Sequence, residues 1–178
     1  MRFAVLATLL LLSSAPAMAK VAVDVDISTQ TMSVTWPGGK SETWSVSTGR
    51  TGFETVRGTF GVTRLSKNHW SRKYDAAMPY AIFFHGGYAL HASTAGRLGR
   101  PASHGCVRIA PEKAARLFEA VRRHGASITV SGSIAEFARA NPGYDRREPR
   151  SARVRALPRR DIFEDSTFVP RSISSQLE

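Results

Sequence analysis

The sequence predicts a mainly β domain, a β-sandwich or open barrel of mixed sheets with one α-helix packed on one side. Three observations carry that expectation. Val21, Val23, Val25 and Ile27 alternate with Ala22, Asp24, Asp26 and Ser28, the period of a half-buried strand. Several further short apolar runs follow, separated by Gly- and Pro-rich turns. One longer stretch, residues 111–124, carries a helical stripe instead.

The elements follow in order. Thr29-Gln30 turns the chain into a second run at 32–36, Pro37-Gly38-Gly39 turns it again, and 43–46 is a third strand. Together these read as an antiparallel meander. Gly49, Gly52 and Gly58 punctuate a longer loop before a short strand at 59–63. Residues 81–84 and 88–92 are apolar pieces separated by Gly86-Gly87, two strands with a bend. In the helix, Pro111 suits a first position that needs no N–H. Ala114, Leu117, Phe118 and Val121 fall at i, i+3, i+4 and i+7, and Gly125 stops the run. Residues 128–130 form a closing strand. Ser133 and Glu136 have capping-box spacing for a short helix to Ala140, before Asn141-Pro142-Gly143.

The ends differ from this middle. Arg2, the apolar run at 3–12 and Ala17-Met18-Ala19 have the layout of a secretory signal peptide. The run is too short to cross ~30 Å of hydrocarbon, and no cysteine marks a lipoprotein site. The expected organisation is a signal segment at 1–19, one domain at 20–132, and a short helix with a basic tail at 133–178. From Asp145 to Arg160 seven arginines stand against Asp145 and Glu148, with Pro149 and Pro158 and little apolar periodicity, the composition of a solvated extension. Phe163, Phe168 and Val169 are apolar residues able to dock back.

Charge and cysteine usage narrow the function. Twenty-five Lys+Arg against 14 Asp+Glu give +11, which in an exported chain suits anionic envelope polymers. Nucleic acid, the other usual partner of a basic chain, is not expected: the chain carries an export segment and no nucleic-acid-binding motif. No stable membrane span is expected once the signal is removed. The chain has one cysteine, Cys106. It forms no internal disulfide and is either a buried bystander or a reactive group.

Its neighbours favour the reactive reading. The stretch 88–109 reads YALHASTAGRLGRPASHGCVRI, with His91 fifteen residues before Cys106 and His104, Gly105 and Arg108 around it. A thiol needs a base to become the reactive thiolate, and both His91 and His104 are candidates. The base needs a partner on its other ring nitrogen, and a backbone carbonyl near His91 would serve. Gly105 permits unusual dihedrals beside a nucleophile. Backbone N–H groups of Gly105 and Cys106 would meet a developing oxyanion. Arg108 would favour the thiolate, hold the loop, or bind a carboxylate.

Blander readings compete. An inert thiol does not call for such polar neighbours. A zinc site from His85, His91, His104 and Cys106 fits no standard ligand spacing. His85 reads as structural or cleft-lining, and His69 and His124 as surface residues. Trp36, Trp44, Trp70 and Tyr80 are core or groove aromatics, the last two in a segment that approaches the cleft.

The ordered motif SHGCVR, with a histidine on a preceding strand, resembles the signature of the L,D-transpeptidase catalytic domain (YkuD-like) family. Ser47-Thr48-Gly49, Gly58-Thr59-Phe60 and Met78-Pro79-Tyr80 resemble further family segments, and the likeness covers about residues 20–131. It implies an L,D-transpeptidase-like fold with the nucleophile loop at a cleft between sheets. It implies Cys106 as acyl-accepting nucleophile, His91 as base, and the Ala92 backbone carbonyl as the group orienting that base. The Gly105 backbone N–H is then an oxyanion donor, and Ser103, His104, Arg108 and Tyr80 line the substrate pocket. Two positions depart from the family pattern. Ala92 stands where Gly or Ser is frequent, a change that a backbone contact tolerates. Thr55-Val56-Arg57-Gly58 stands where Thr-Pro-x-Gly is frequent, which bears on loop rigidity.

The implied activity is transfer of a peptidoglycan stem peptide through a thioester, with terminal D-Ala leaving and an amine accepting the acyl group. Neither metal nor organic cofactor is expected. Stem peptides are the expected partners, and an envelope protein is a further acceptor candidate. The competing functions are an L,D-carboxypeptidase, in which water is the acceptor, and a non-catalytic peptidoglycan-binding module.

Overall fold

Residues 19–94 and 98–144 are described by the computed structural model. Residues 1–18 of the segment expected to be a signal, and the expected basic tail from Asp145 with Phe163, Phe168 and Val169, lie outside the described residues.

The valine alternation forms β1 (Val21–Asp26), whose Val21, Val23 and Val25 are all buried. Antiparallel β2 (Thr31–Thr35) sets Val34 opposite Val23 and Met32 opposite Val25. β3 (Ser41–Ser45) then sets Trp44 opposite Met32. The meander therefore forms in the register that keeps every large apolar side chain on one face. The chain continues through β4 (Gly58–Gly61), β5 (Arg64–Ser71), β6 (Ala76–His85), β7 (Tyr88–Ala92) and β8 (Val107–Ile109). It closes with α1 (Pro111–His124), β9 (Ala126–Ser131) and α2 (Ile134–Ala140).

Two mixed sheets result. One has the order β3-β2-β1-β9-β4, with β9 parallel to β1 and antiparallel to β4. The other has the order β5-β6-β7-β8, with β8 parallel to β7. Val23, Val34 and Ile128 from the first sheet share one core with Ile82, Phe84 and Leu90 from the second. α1 adds Ala114, Leu117, Phe118 and Val121 to that core. Burying side chains of this size contributes roughly 1.5–3 kcal/mol each, and it is the main force joining sheet to sheet and helix to sheet.

Both helices begin and end as their sequences require. Pro111 opens α1, and Gly125 at φ 68° donates its N–H to the Val121 carbonyl. Ser133 caps α2 by accepting the Glu136 N–H at 3.2 Å. α2 joins the body of the domain: Ile134 is part of the core, and Tyr144 packs edge-on to Phe137.

Several expectations are adjusted. The strand expected at 81–84 begins five residues earlier as β6. β5 was not expected, because Arg64–Ser71 is polar at most positions and forms a sheet edge. β8 is only three residues long and begins within the SHGCVR motif. Trp36 and Trp44 are structural: both indole N–H groups donate to Glu42, and Arg116 of α1 bonds Glu42 and lies over both rings. His69 is not a plain surface residue, since its ring packs edge-on to Phe83 at 5.0 Å.

Candidate active site

The site is built where a loop from the first sheet crosses to the end of the second. After β3, Ser47 pairs with Arg108 through two backbone hydrogen bonds, 3.1 and 2.9 Å long. The Thr48 carbonyl accepts the N–H groups of Ala102 and Ser103. Thr48 is itself held by Gln30, fully buried in the β1–β2 turn, which accepts the Thr48 N–H at 2.9 Å and donates to its hydroxyl at 2.7 Å. Thr55, also buried, accepts the Gly49 N–H at 2.9 Å and donates to the Gly105 carbonyl at 2.8 Å. Polar groups removed from water must be paired, so this network specifies one path for the segment before Cys106.

That segment is stiffened from within. The Ser103 hydroxyl accepts the Gly105 N–H at 3.0 Å and donates to the Cys106 carbonyl at 2.5 Å. Gly105 has φ 117°, and a Cβ there would lie 2.7 Å from the Tyr88 ring. Gly49 is equally constrained, since a Cβ would lie 1.9 Å from the Phe53 carbonyl oxygen. Both positions therefore need glycine for space, and Gly105 also for its dihedral.

Strand register brings the thiol and imidazole together. β7 and β8 pair with Leu90 beside Val107 and His91 beside Arg108. Carried back one residue, this register sets Cys106 beside Ala89, whose backbone N–H bonds the sulfur. Alternation along the strands then turns Cys106, Arg108 and His91 to one face. All three line a cleft of about 580 Å³, together with Tyr74, Tyr80 and His104.

Hydrogen bonding assigns the imidazole its tautomer. His91 is buried, and its Nδ1 lies 2.8 Å from the Ala92 carbonyl oxygen. A carbonyl only accepts, so Nδ1 carries the proton and Nε2 keeps its lone pair. Burial holds the His91 pKa down to about 4; the bond to Ala92 opposes that shift and the nearby Arg108 charge adds to it. Cys106 meets the cleft with part of its surface. The residue packs against the buried cluster of Met78, Ala81, Phe83 and Ala89. That burial pushes its pKa up, against the Ala89 N–H and Arg108, which lower it. Both groups are thus neutral at rest, an acid and a base rather than an ion pair.

The residues expected from sequence meet here with distinct environments. His104 and Arg108 line the cleft, as does Tyr80, whose φ is 56° and whose ring leans on Phe118 of α1 at 5.9 Å. The Ser103 hydroxyl is committed to its own loop, so any part it has in binding runs through that loop. The Gly105 N–H is committed likewise, to Ser103. His85 lies outside the cleft, its ring between Phe60 and Tyr88. Trp70 is more than half exposed and does not line the cleft. Gln30, Thr55 and Arg50 were not singled out for the site by sequence. A T-x-x-G segment was visible at Thr55, but nothing local marked Gln30.

Two mixed sheets thus bring a thiol and a backbone-oriented imidazole to one cleft. Comparison with known families makes this specific: the L,D-transpeptidase catalytic domain, YkuD, matches residues 20–147, and the chain belongs to that family. Among solved structures, an L,D-transpeptidase (Yku) from Stackebrandtia nassauensis is 32% identical with a TM-score of 0.58, over 68% of this chain and 60% of that one. An L,D-transpeptidase from Mycobacterium smegmatis is 25% identical with a TM-score of 0.56, over 63% and 58% of the two chains. One from Mycobacterium tuberculosis H37Rv shares the fold at 23% identity and a TM-score of 0.57, over 62% and 57%. The chain thus spans about 60% of the length of the solved structures it matches. Among curated proteins, none matches the sequence.

Proposed function

We propose that the protein is an exported transpeptidase of the bacterial envelope, acting on peptidoglycan tetrapeptide stems through Cys106. His91 Nε2 takes the thiol proton as the sulfur attacks the carbonyl before the terminal D-Ala. The tetrahedral oxyanion collapses to a thioester and D-Ala leaves as an amine, protonated from His91. An incoming amine then attacks the thioester, gives its proton to His91, and releases Cys106 as the thiol. The product is a 3→3 crosslink, a stem with a new terminal D-residue, or a stem joined to an envelope protein.

One observation carries this reading. The Ala92 carbonyl fixes the His91 proton on Nδ1, leaving a basic nitrogen on the cleft face that also presents Cys106. A general base acting on demand suits a site whose burial keeps both partners neutral. The Arg108 guanidinium on the same face supplies fixed positive charge for a stem carboxylate. Export rests on the N-terminal pattern of Arg2, the apolar run and Ala17-Met18-Ala19. Among the described residues no helix is long and apolar enough to cross a membrane.

The test is mass analysis of tetrapeptide-stem muropeptides incubated with the protein, beside Cys106→Ala and His91→Ala. The expected result is loss of one D-Ala together with dimers or exchange products, absent in both variants. D-Ala loss with no new amide would make the protein an L,D-carboxypeptidase. Tight sacculus binding with no turnover in a folded protein would make it a binding module.

A further inference from the structure

Two histidines reach the cleft, and the contacts around the second give it a different task from the first. Arg50 lies in the loop after β3, where the Phe53 N–H closes a turn onto the Arg50 carbonyl at 2.9 Å. Its backbone N–H and its Nη1 both donate to the Ser103 carbonyl, at 3.1 and 3.2 Å. Its Nη2 lies 2.9 Å from His104 Nε2. The guanidinium is further held over the Phe53 ring, 4.3 Å from its centroid. Phe53 in turn meets His104 edge-on at 4.9 Å, while Tyr74 stacks on His104 at 4.6 Å and 24°. The ring is therefore clamped by two aromatics and one cation, from the β3–β4 loop and the β5–β6 turn.

The chemistry of that clamp has one consistent protonation. A guanidinium has five donors, no acceptor, and keeps its charge in proteins. Nε2 of His104 must accept, so its proton sits on Nδ1 and the ring is neutral. An imidazolium would turn an N–H toward an N–H and place positive charge beside Arg50. Titratable or charged groups among the described residues near the ring include the Tyr74 phenol with Lys73 beyond it, and Cys106, His91 and Arg108, which line the same cleft. Burial above all raises the Tyr74 pKa, so the phenol stays protonated at neutral pH and supplies no counter-charge.

We propose that Arg50 is a positioning residue that locks His104 as the neutral Nδ1–H tautomer and, by capping Nε2, removes it as a base for Cys106. That Cys106 needs a base at all rests on the transpeptidase reading; the tautomer lock does not. The two cleft histidines then hold opposite states at Nε2: in His91 it is the basic nitrogen, in His104 it is capped. A site built this way offers one basic ring nitrogen at neutral pH without needing the two titrations to differ.

The test is the ring-nitrogen spectrum of protein labelled with 15N-histidine, with two-bond 1H–15N correlations identifying each tautomer. His104→Gln assigns the His104 signals among the five histidines. The expected wild-type pattern for His104 is Nδ1–H at pH 7, persisting at pH 5.5 where an ordinary histidine is largely charged. Arg50→Met, which keeps the stem and removes the donors, should release His104 to a mixed or Nε2–H tautomer that charges by pH 5.5. Arg50→Lys should restore part of the wild-type pattern. An Nε2–H or imidazolium wild-type ring at pH 7 overturns the proposal, as does an unchanged tautomer in Arg50→Met. Because the spectrum needs no turnover, an inactive protein with the expected tautomer would refute the transpeptidase reading alone.

Discussion

Thr55→Val removes one hydroxyl from the support of the loop that carries Cys106 while nearly conserving shape. In the folded protein that hydroxyl pairs two backbone groups, the Gly49 N–H at 2.9 Å and the Gly105 carbonyl at 2.8 Å, and Thr55 is only 3% exposed. Valine leaves both groups in place without their partner. An unsatisfied buried donor or acceptor costs about 1–3 kcal/mol. The carbonyl is the cheaper of the two, having a second lone pair, so a total of about 3 kcal/mol is expected. For a domain of this size that corresponds to a fall of roughly 10 °C in Tm. Thr55→Ser keeps the hydroxyl and should lose less than half as much. Thermal melts followed by circular dichroism, with urea titrations as a check, measure both. Acylation of Cys106 should drop more steeply than stability, by up to about a hundredfold, because small displacements at a reacting atom are expensive. A Thr55→Val melt within 2 °C of wild type, or a serine variant as damaged as the valine, would refute the reasoning.

Further outcomes follow from the same contacts. Gly105→Ala forces a Cβ against the Tyr88 ring at a φ that L-residues rarely adopt. It should abolish acylation and lower stability by about 2–4 kcal/mol, as read by urea unfolding beside substrate-adduct formation. The pH dependence has a definite sign. An ordinary histidine titrates near 6.5, while His91 is held down to about 4. Between those values the unfolded chain binds the extra proton, so stability falls as pH drops from about 6.5 to 4 and this group takes nothing more below that. The window is worth about 3 kcal/mol, and urea midpoints at pH 4 and 7 in wild type and His91→Gln should show it reduced in the variant. The same depressed pKa puts the acid limb of Cys106 acylation well below pH 6, measurable in stopped-flow adduct formation.

The fold was legible where local pattern and burial coincide. Strict alternation from Val21 to Ile27 is unambiguous because one face of β1 is buried and the other is not. The helix boundaries at Pro111 and His124 follow from a proline that fits only the start and a glycine that fits the end. β5 stayed hidden because an edge strand pairs through its backbone, and Arg64–Ser71 has no buried face to leave a period. In the cleft, Cys106, His91, His104 and Arg108 were visible because they stand together in one short motif-bearing stretch, residues 88–109. Gln30, Thr55 and Arg50 were not singled out, since each acts on a loop at least 50 residues away or through an intermediary such as Thr48. Such hydrogen-bond partners are set by the three-dimensional crossing of the loop between sheets, for which no local sequence period exists. Gly105 was correctly marked as conformationally special, yet the commitment of its N–H to Ser103 depends on a serine rotamer that sequence does not display.

The central claim, that Cys106 takes the stem acyl group with departure of D-Ala, is tested most directly by intact-protein mass spectrometry during turnover of a tetrapeptide-stem muropeptide. The account predicts a transient adduct equal to the substrate less one D-Ala, mapped to Cys106 as a hydroxylamine-sensitive thioester and missing in Cys106→Ala. Release of D-Ala by Cys106→Ala at the wild-type rate, with no adduct on either protein, would contradict it.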